Sequence, residues 1–273
     1  MNSNPKVSII TVCYNSAAHL LDCLASVQSQ TYANIEHVIV DGGSTDGTVA
    51  LIKAYEGEGH QGSVTWISEK DKGIYDALNK GIARATGDIV GFVHSDDLLA
   101  NERAVETIVN GFLKGAMEDE IDGIYGDMVF VEPEDVTKVR RIWKPGKQGN
   151  FSLGWSLPHQ TLFLKKEMYE KFGGYMDHMT NAADYELILR ICKGDGCLVG
   201  NELKLWEKKE PARLAYINTP LLIMKLGGAS TKDAGSSAKG YKEVMESMKL
   251  HGMKVPWVAN TLRLVGKVKQ RVG

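Results

Sequence analysis

The chain has 273 residues, 43% of them hydrophobic, enough to bury a sizeable core in one large α/β domain or in a domain with a C-terminal elaboration. A formal net charge of −2 gives no global electrostatic case for nucleic acid, so none is expected as a partner. The cysteines Cys13, Cys23, Cys192 and Cys197 form no metal-type CxxC pair, and no apolar run approaches the length of a membrane span.

The N-terminal segment runs straight into a strand and has no signal-peptide core, so the expectation is a soluble cytoplasmic protein, with peripheral contact on the inner face of the membrane left open. Cys13 lies in an apolar strand and Cys23 on a helix face, which reads as buried thiols in a reducing compartment; a Cys192–Cys197 bridge is the alternative. Residues 7–12 form an apolar strand. Ser16 can cap the helix after it, with Leu20, Leu21, Leu24 and Val27 on one side. A strand at 35–40, a helix at 48–55, a strand at 64–68, a helix at 74–85 and a strand at 89–93 follow. This alternation predicts a parallel sheet with right-handed crossovers. After about Gly115 the pattern changes. Strands at 123–131 and 138–143 flank an acidic turn, and another strand lies at 162–164. Helices at 166–172 and 183–193 and a late strand at 215–224 complete the second half, with no obvious linker between the two.

The strand at 89–93 ends in His94-Ser95-Asp96-Asp97. Adjacent carboxylates at a strand end repel each other and resist desolvation, so they call for a compensating cation. The same edge of an open α/β sheet is where ligands sit, and hard oxygen ligands suit Mg²⁺ or Mn²⁺ holding a substrate's phosphates. The alternative is a solvated turn or a helix N-cap, with a helix running from residue 98 onward. Thr11, Tyr14 and Asn15 close the first strand without a GxGxxG or P-loop pattern; here the alternative is a turn with a cap. Asp41 ends the second strand, where a carboxylate can accept from a base N–H or ribose hydroxyls, while Asp46 suits capping of the next helix. Asp71 follows the third strand; Asp76, Asn79 and Lys80 read as helix-surface or capping groups. Four successive strand ends thus carry Asn15, Asp41, Asp71 and Asp96/Asp97 at one edge, which makes a site.

The ordered runs Val7–Asn15, Val40–Thr48, Asp71–Gly81 and Ser95–Asp97 resemble family 2 glycosyltransferases, and the resemblance covers roughly residues 5–231. It implies the GT-A fold, a Rossmann-like, mostly parallel sheet flanked by helices, with a C-terminal acceptor-side region. Residues 1–115 would be the nucleotide-sugar half, 116–235 the acceptor and catalytic-base half, and 236–273 a C-terminal helical tail. The resemblance further implies inverting transfer from a nucleotide diphosphate sugar to a saccharide or lipid-linked acceptor, of the kind that builds bacterial surface polysaccharide. In the family's pattern Asp97 contacts the metal, Mn²⁺ or Mg²⁺. Asp96 lies toward ribose or sugar, Asp41 meets the base, and Thr11, Tyr14, Asn15 and Asp71 are donor contacts. Pro158–Thr161 and Phe172–Tyr175 resemble acceptor-side segments, and Asn181–Leu187 the segment carrying the base, here Asp184. Ala183 stands where many members have Glu.

Inversion needs one carboxylate to take the acceptor's proton, a role that competes with a helix N-cap for Asp184. His159 would bond a phosphate or orient the acceptor, or else be a buried, hydrogen-bonded histidine. Residues 225–231 read as a closing loop with a cation or as a surface connection. Trp143, Trp155 and Trp206 either stack on sugars or fill the core. Residues 257–271 mix apolar and basic residues, suited to peripheral membrane contact or to a tail packed on the domain. A nucleotidyltransferase would need a Gly-rich basic loop after the first strand, which is missing. A non-catalytic nucleotide-sugar-binding or assembly subunit is the other reading, and the Ala183 departure is what favours it.

Overall fold

The computed structural model describes residues 3–60, 62–118, 120–200, 202–227 and 234–269. The first half alternates as the apolar periodicity requires: β1 (Val7–Cys13), α1 (Leu20–Gln28), β2 (Ile35–Asp41), α2 (Thr48–Glu56), β3 (Ser63–Ser68), α3 (Ile74–Arg84) and β4 (Ile89–Phe92). The four strands are parallel, in the order β3-β2-β1-β4. Every residue of the central β1 is buried, because helices cover both faces of the sheet. Its side chains alternate between two cores. Ile10 and Val12 join Val38, Leu78 and Phe92 on one face, while Val7 and Ile9 meet Cys23, Val105 and Phe112 on the other.

The chain continues through β5 (Asp97–Leu99), α4 (Ala104–Glu118), β6 (Gly123–Glu132), β7 (Asp135–Trp143), β8 (Phe163–Lys165), α5 (Lys166–Phe172) and α6 (Ala183–Lys193). It ends with β9 (Asp195–Val199), β10 (Glu202–Lys208), β11 (Leu214–Lys225), α7 (Ala234–Leu250) and α8 (Pro256–Lys269). β8 joins the sheet antiparallel to β4, and the order then runs β6-β11-β5, with β6 and β11 parallel. β7 folds back on β6, and β9 with β10 forms a separate ribbon. Short 3-10 turns at Phe151–Leu153 and His159–Thr161 link β7 to β8. No described helix is long and apolar enough to cross a membrane.

The helix that the alternative reading of Asp97 as an N-cap requires from residue 98 is not there. Asp97–Leu99 is a strand, with Leu98 opposite Ile223 of β11, and α4 starts only at Ala104. Pairing with β11 buries Leu99, a long-range gain that overrides a weak local helix preference. Ser16 does not cap α1 with its side chain either. Its carbonyl accepts from the His19 and Leu20 N–H groups, and the helix begins at Leu20. Leu21 is 57% exposed, and Cys23 takes its place beside Leu20, Leu24 and Val27 on the buried face. All four cysteines are buried thiols with no disulfide, and burial pushes Cys23 and Cys192 up to about 12. Trp143 is core, packed with Met128 and Phe130, whereas Trp155 is half-buried. The Trp206 side chain lies outside the described residues.

Candidate active site

The strand-end residues gather at the edge where β1, β2 and β4 finish. Asn15 takes a left-handed backbone conformation, φ 48°, which Asn tolerates. Its amide oxygen accepts from the Thr45 N–H at 2.9 Å, and its own N–H donates to Ser44 Oγ at 2.7 Å, so it binds the 44–45 turn to β1. Tyr14 is 64% exposed beside it. Thr11, by contrast, points into the core: its hydroxyl donates to the Val93 carbonyl at 2.8 Å and meets His37 Nε2 at 2.9 Å.

Asp41 is fully buried, and its carboxylate is spent inside the loop it begins. It accepts from the Gly43 and Ser44 N–H groups at 3.1 and 3.0 Å, from the Ser44 hydroxyl, and from the Ser68 hydroxyl at 2.6 Å. Its neighbour Gly42 is buried, with no room for a side chain. A Cβ on Gly42 would lie 2.4 Å from Asp71 Oδ2 and 3.4 Å from the Tyr14 ring, so Asp71, Gly42 and Tyr14 form one continuous wall. Asp46 takes the capping role, accepting from the Thr48 N–H at 3.1 Å and the Thr48 hydroxyl at 2.6 Å.

Asp97 is 1% exposed, and neither carboxylate oxygen has a hydrogen-bond partner. Burial, with the neighbouring Asp96 charge, holds its pKa well above the usual carboxylate range. Such a group asks for a cation. Among the described residues no cluster of three His, Cys, Asp or Glu side chains forms a cage. The donor set therefore fits Mg²⁺ or Mn²⁺ arriving with a diphosphate, an ion commonly held by one or two carboxylates plus substrate phosphates. Lys225, the cation of the expected closing loop, is buried and donates to the Asp22 carboxylate of α1; residues 228–231 of that loop lie outside the described residues.

Asp184 is the second residue of α6 and does not cap it: the N-cap is Ala182, and no side chain caps the helix. Tyr75 from α3 donates its hydroxyl to Oδ1 at 3.2 Å, and His159 Nδ1 lies 3.0 Å from Oδ2. Burial would raise the Asp184 pKa, but the His159 charge and hydrogen bonds from His159, the Tyr185 N–H and Tyr75 bring it down to about 2. On its other side His159 Nε2 lies 3.3 Å from His94 Nε2, and His94, lowered to about 3 chiefly by burial, stays neutral. A Tyr75–Asp184–His159–His94 chain thus reaches the residue two positions before Asp96. It ties the second half's carboxylate to the strand-end acids of the first.

The supports of this chain come from elsewhere. Asn79 is not a surface group: its side chain bonds both the N–H and the carbonyl of Tyr175 at 2.8 Å, and Tyr175 stacks on Tyr75. Glu243 of α7 accepts from the N–H groups of Thr180, Asn181 and Ala182 and from the Thr180 hydroxyl, holding the turn that launches α6. Tyr75 and His94 both lie inside the motifs that mark the site, but nothing in those motifs by itself gives either a role. Nothing in the sequence pointed to Glu243.

The sequence profile described as "Glycosyl transferase family 2" matches residues 8–172. An uncharacterized glycosyltransferase of Mycobacterium tuberculosis is 35% identical over 198 residues, 70% of each chain. A PGL/p-HBAD biosynthesis glycosyltransferase of Mycobacterium bovis is 30% identical over 200 residues, 71% of this chain and 72% of the relative. Among solved structures, the mannosyltransferase PcManGT from Pyrobaculum calidifontis, in complex with GDP-Man and Mn²⁺, superposes with a TM-score of 0.63 at 18% identity, over 98% of this chain and 74% of that one. S. aureus TarS 1-349 in complex with UDP-GlcNAc gives 0.62 at 15% identity, over 97% and 73%. In another TarS structure this chain spans only 39% of that chain's length. These likenesses show the GT-A fold, and the profile and the 35% relative show the family. The chain belongs to glycosyl transferase family 2.

Proposed function

We propose that this glycosyltransferase works with inversion, moving a hexosyl or N-acetylhexosaminyl group from a nucleotide diphosphate sugar to a hydroxyl of a saccharide or lipid-linked acceptor in bacterial surface polysaccharide synthesis. The observation that carries the reading is the half-buried Asp184 carboxylate, held by His159 and Tyr75 and tied through His94 to the Asp96–Asp97 pair. The donors named in the two structural neighbours, GDP-Man and UDP-GlcNAc, support a nucleotide sugar here, and the Mn²⁺ in the first supports a divalent ion.

In this reading Asp184 accepts the proton of the acceptor hydroxyl as its oxygen bonds the anomeric carbon. The bond from that carbon to the diphosphate breaks on the opposite face, and its electron pair leaves with the phosphate. A divalent ion, when bound, neutralises that leaving charge, with Asp97 as its protein ligand. Asp96 faces ribose or sugar. Asp71 and the Tyr14 ring offer the base an acceptor and an apolar face on the two sides of Gly42, while Asp41 and Asn15 hold the intervening loop in shape. His159, on the acceptor side, sets the Asp184 carboxylate.

The test is Asp184→Asn. Transfer should fall by at least about a thousandfold, within the range for a positioned base, with nucleotide-dependent thermal stabilisation in Mn²⁺ retained. Turnover close to wild type would remove Asp184 as the base. A wild-type protein that binds donor but neither transfers nor slowly hydrolyses it would be a binding subunit instead.

A further inference from the structure

The C-terminal helix α8 carries an unusual distribution of residues. Its inner face, Pro256, Ala259 and Asn260, is buried. The outer face should then be polar, yet it presents Trp257 (62% exposed), Leu264 (41%) and Val265 (47%), the i, i+7, i+8 stripe of an amphipathic helix turned outward. Thr261 shares that face, but its hydroxyl donates back to the Trp257 carbonyl at 2.8 Å. Leu250 and Val255, just before the helix, extend the exposed apolar rim.

Charge separates the occupants of such a face. From residue 249 onward the sequence has no Asp or Glu, and besides Arg263, which faces the cleft, it holds Lys249, Lys254, Lys267, Lys269 and Arg271, in a chain whose net charge is −2. A second copy docking symmetrically would set this acid-free patch against itself, like charge facing like charge. An anionic bilayer matches both features, since it attracts Lys and Arg near its surface and the apolar side chains enter the acyl boundary.

The helix is also seated close to the catalytic half. A Cβ on Gly154 would lie 2.5 Å from the Arg263 backbone nitrogen, so α8 rests directly on the Phe151–Leu153 turn. Between them opens a cleft of about 300 Å³ lined by Trp143, Lys144, Asn150, Trp155, Leu262 and Arg263. Its inner wall leads to the base: Trp155 packs on Phe151, and the Arg263 guanidinium lies 5.3 Å over the ring of Tyr185, the residue after Asp184.

We propose that the outward face of α8 seats on an anionic lipid bilayer, so that the cleft beside it receives the head group of a lipid-linked acceptor. The acceptor part rests on the transfer reaction proposed above; the bilayer part stands without it. The full chain is sedimented with vesicles of phosphatidylcholine alone and with an equal mixture of phosphatidylcholine and phosphatidylglycerol, beside the double variant Trp257→Ser/Leu264→Ser, whose side chains lie outside the cleft. The wild type should bind the mixed vesicles, be released by high salt, and partition about tenfold or more above the variant. Light scattering should show the two proteins in the same oligomeric state. Equal partitioning of both proteins, equal binding to the neutral vesicles, no wild-type binding, or a dimer that the variant dissociates would each overturn the proposal. Asp184→Asn should bind vesicles like wild type. If it retains transfer while wild-type binding persists, the reaction reading fails and the surface stands.

Discussion

Replacing His159 by alanine removes the imidazole 3.0 Å from Asp184 Oδ2 and leaves Tyr75 and the Tyr185 N–H as the carboxylate's partners. A hydrogen bond to a charged group is worth about 1.5–3 kcal/mol net, and each 1.4 kcal/mol is about tenfold in rate. If that interaction orients the base in the transition state, kcat should fall about tenfold to a hundredfold, with donor KM little changed. The pH dependence carries a second signature. His159 is what opposes the burial that would raise the Asp184 pKa, so without it the folded pKa climbs from about 2. A base must be deprotonated, so the acid limb of kcat should move to higher pH, and mildly acidic buffer should inactivate the variant before the wild type. His159→Asn keeps an N–H near the Nδ1 position but no charge. It should recover much of kcat at neutral pH while the acid limb stays displaced. The assay is sugar transfer across a pH series, with circular dichroism to verify folding. An alanine variant with wild-type kcat and an unmoved acid limb would refute the reasoning.

Asp97→Asn should stabilise the metal-free protein, because a neutral amide costs less to bury than a carboxylate charge whose oxygens have no partner. The sign follows from its raised pKa: deprotonation costs folding energy, so the metal-free wild type should gain stability as pH falls through that pKa, and the variant should not. Thermal shift should show the Mn²⁺-dependent response to nucleotide abolished in the same variant. Glu243→Ala strips three backbone N–H groups of their acceptor at the start of α6 and should cost about 1–3 kcal/mol by urea denaturation. It should lower kcat as well, though residue 243 touches no reacting group; an unchanged kcat would mean that α7 does not position Asp184.

The donor edge could be read from residue order because a parallel sheet brings every strand's C-terminal end to the same side. Once 7–12, 35–40, 64–68 and 89–93 were strands, Asn15, Asp41, Asp71 and Asp96/Asp97 had to converge. What each does there was less legible. Asp41 is consumed by the Gly43–Ser44 turn and Thr11 by His37 and Val93, and a one-dimensional pattern does not separate a carboxylate facing a ligand from one facing its own loop. Asp184 is the sharper case. Read locally, an acid in the first turn of a helix is a cap, and only the resemblance marked it as a base.

Local periodicity and strand–helix alternation, then, determined the α/β class, the parallel half-sheet and the edge where the site lies, because burial of alternate or every-third-to-fourth side chains is written in neighbouring residues. Tertiary structure alone decided the rest. The strand at Asp97–Leu99 exists because β11 lies beside it. The Asp184 carboxylate is set by His159, Tyr75 and, through the α6 turn, Glu243, each delivered by a different element far away in the chain. Contacts between distant residues are specified by how whole layers pack, and no short window of sequence contains that information.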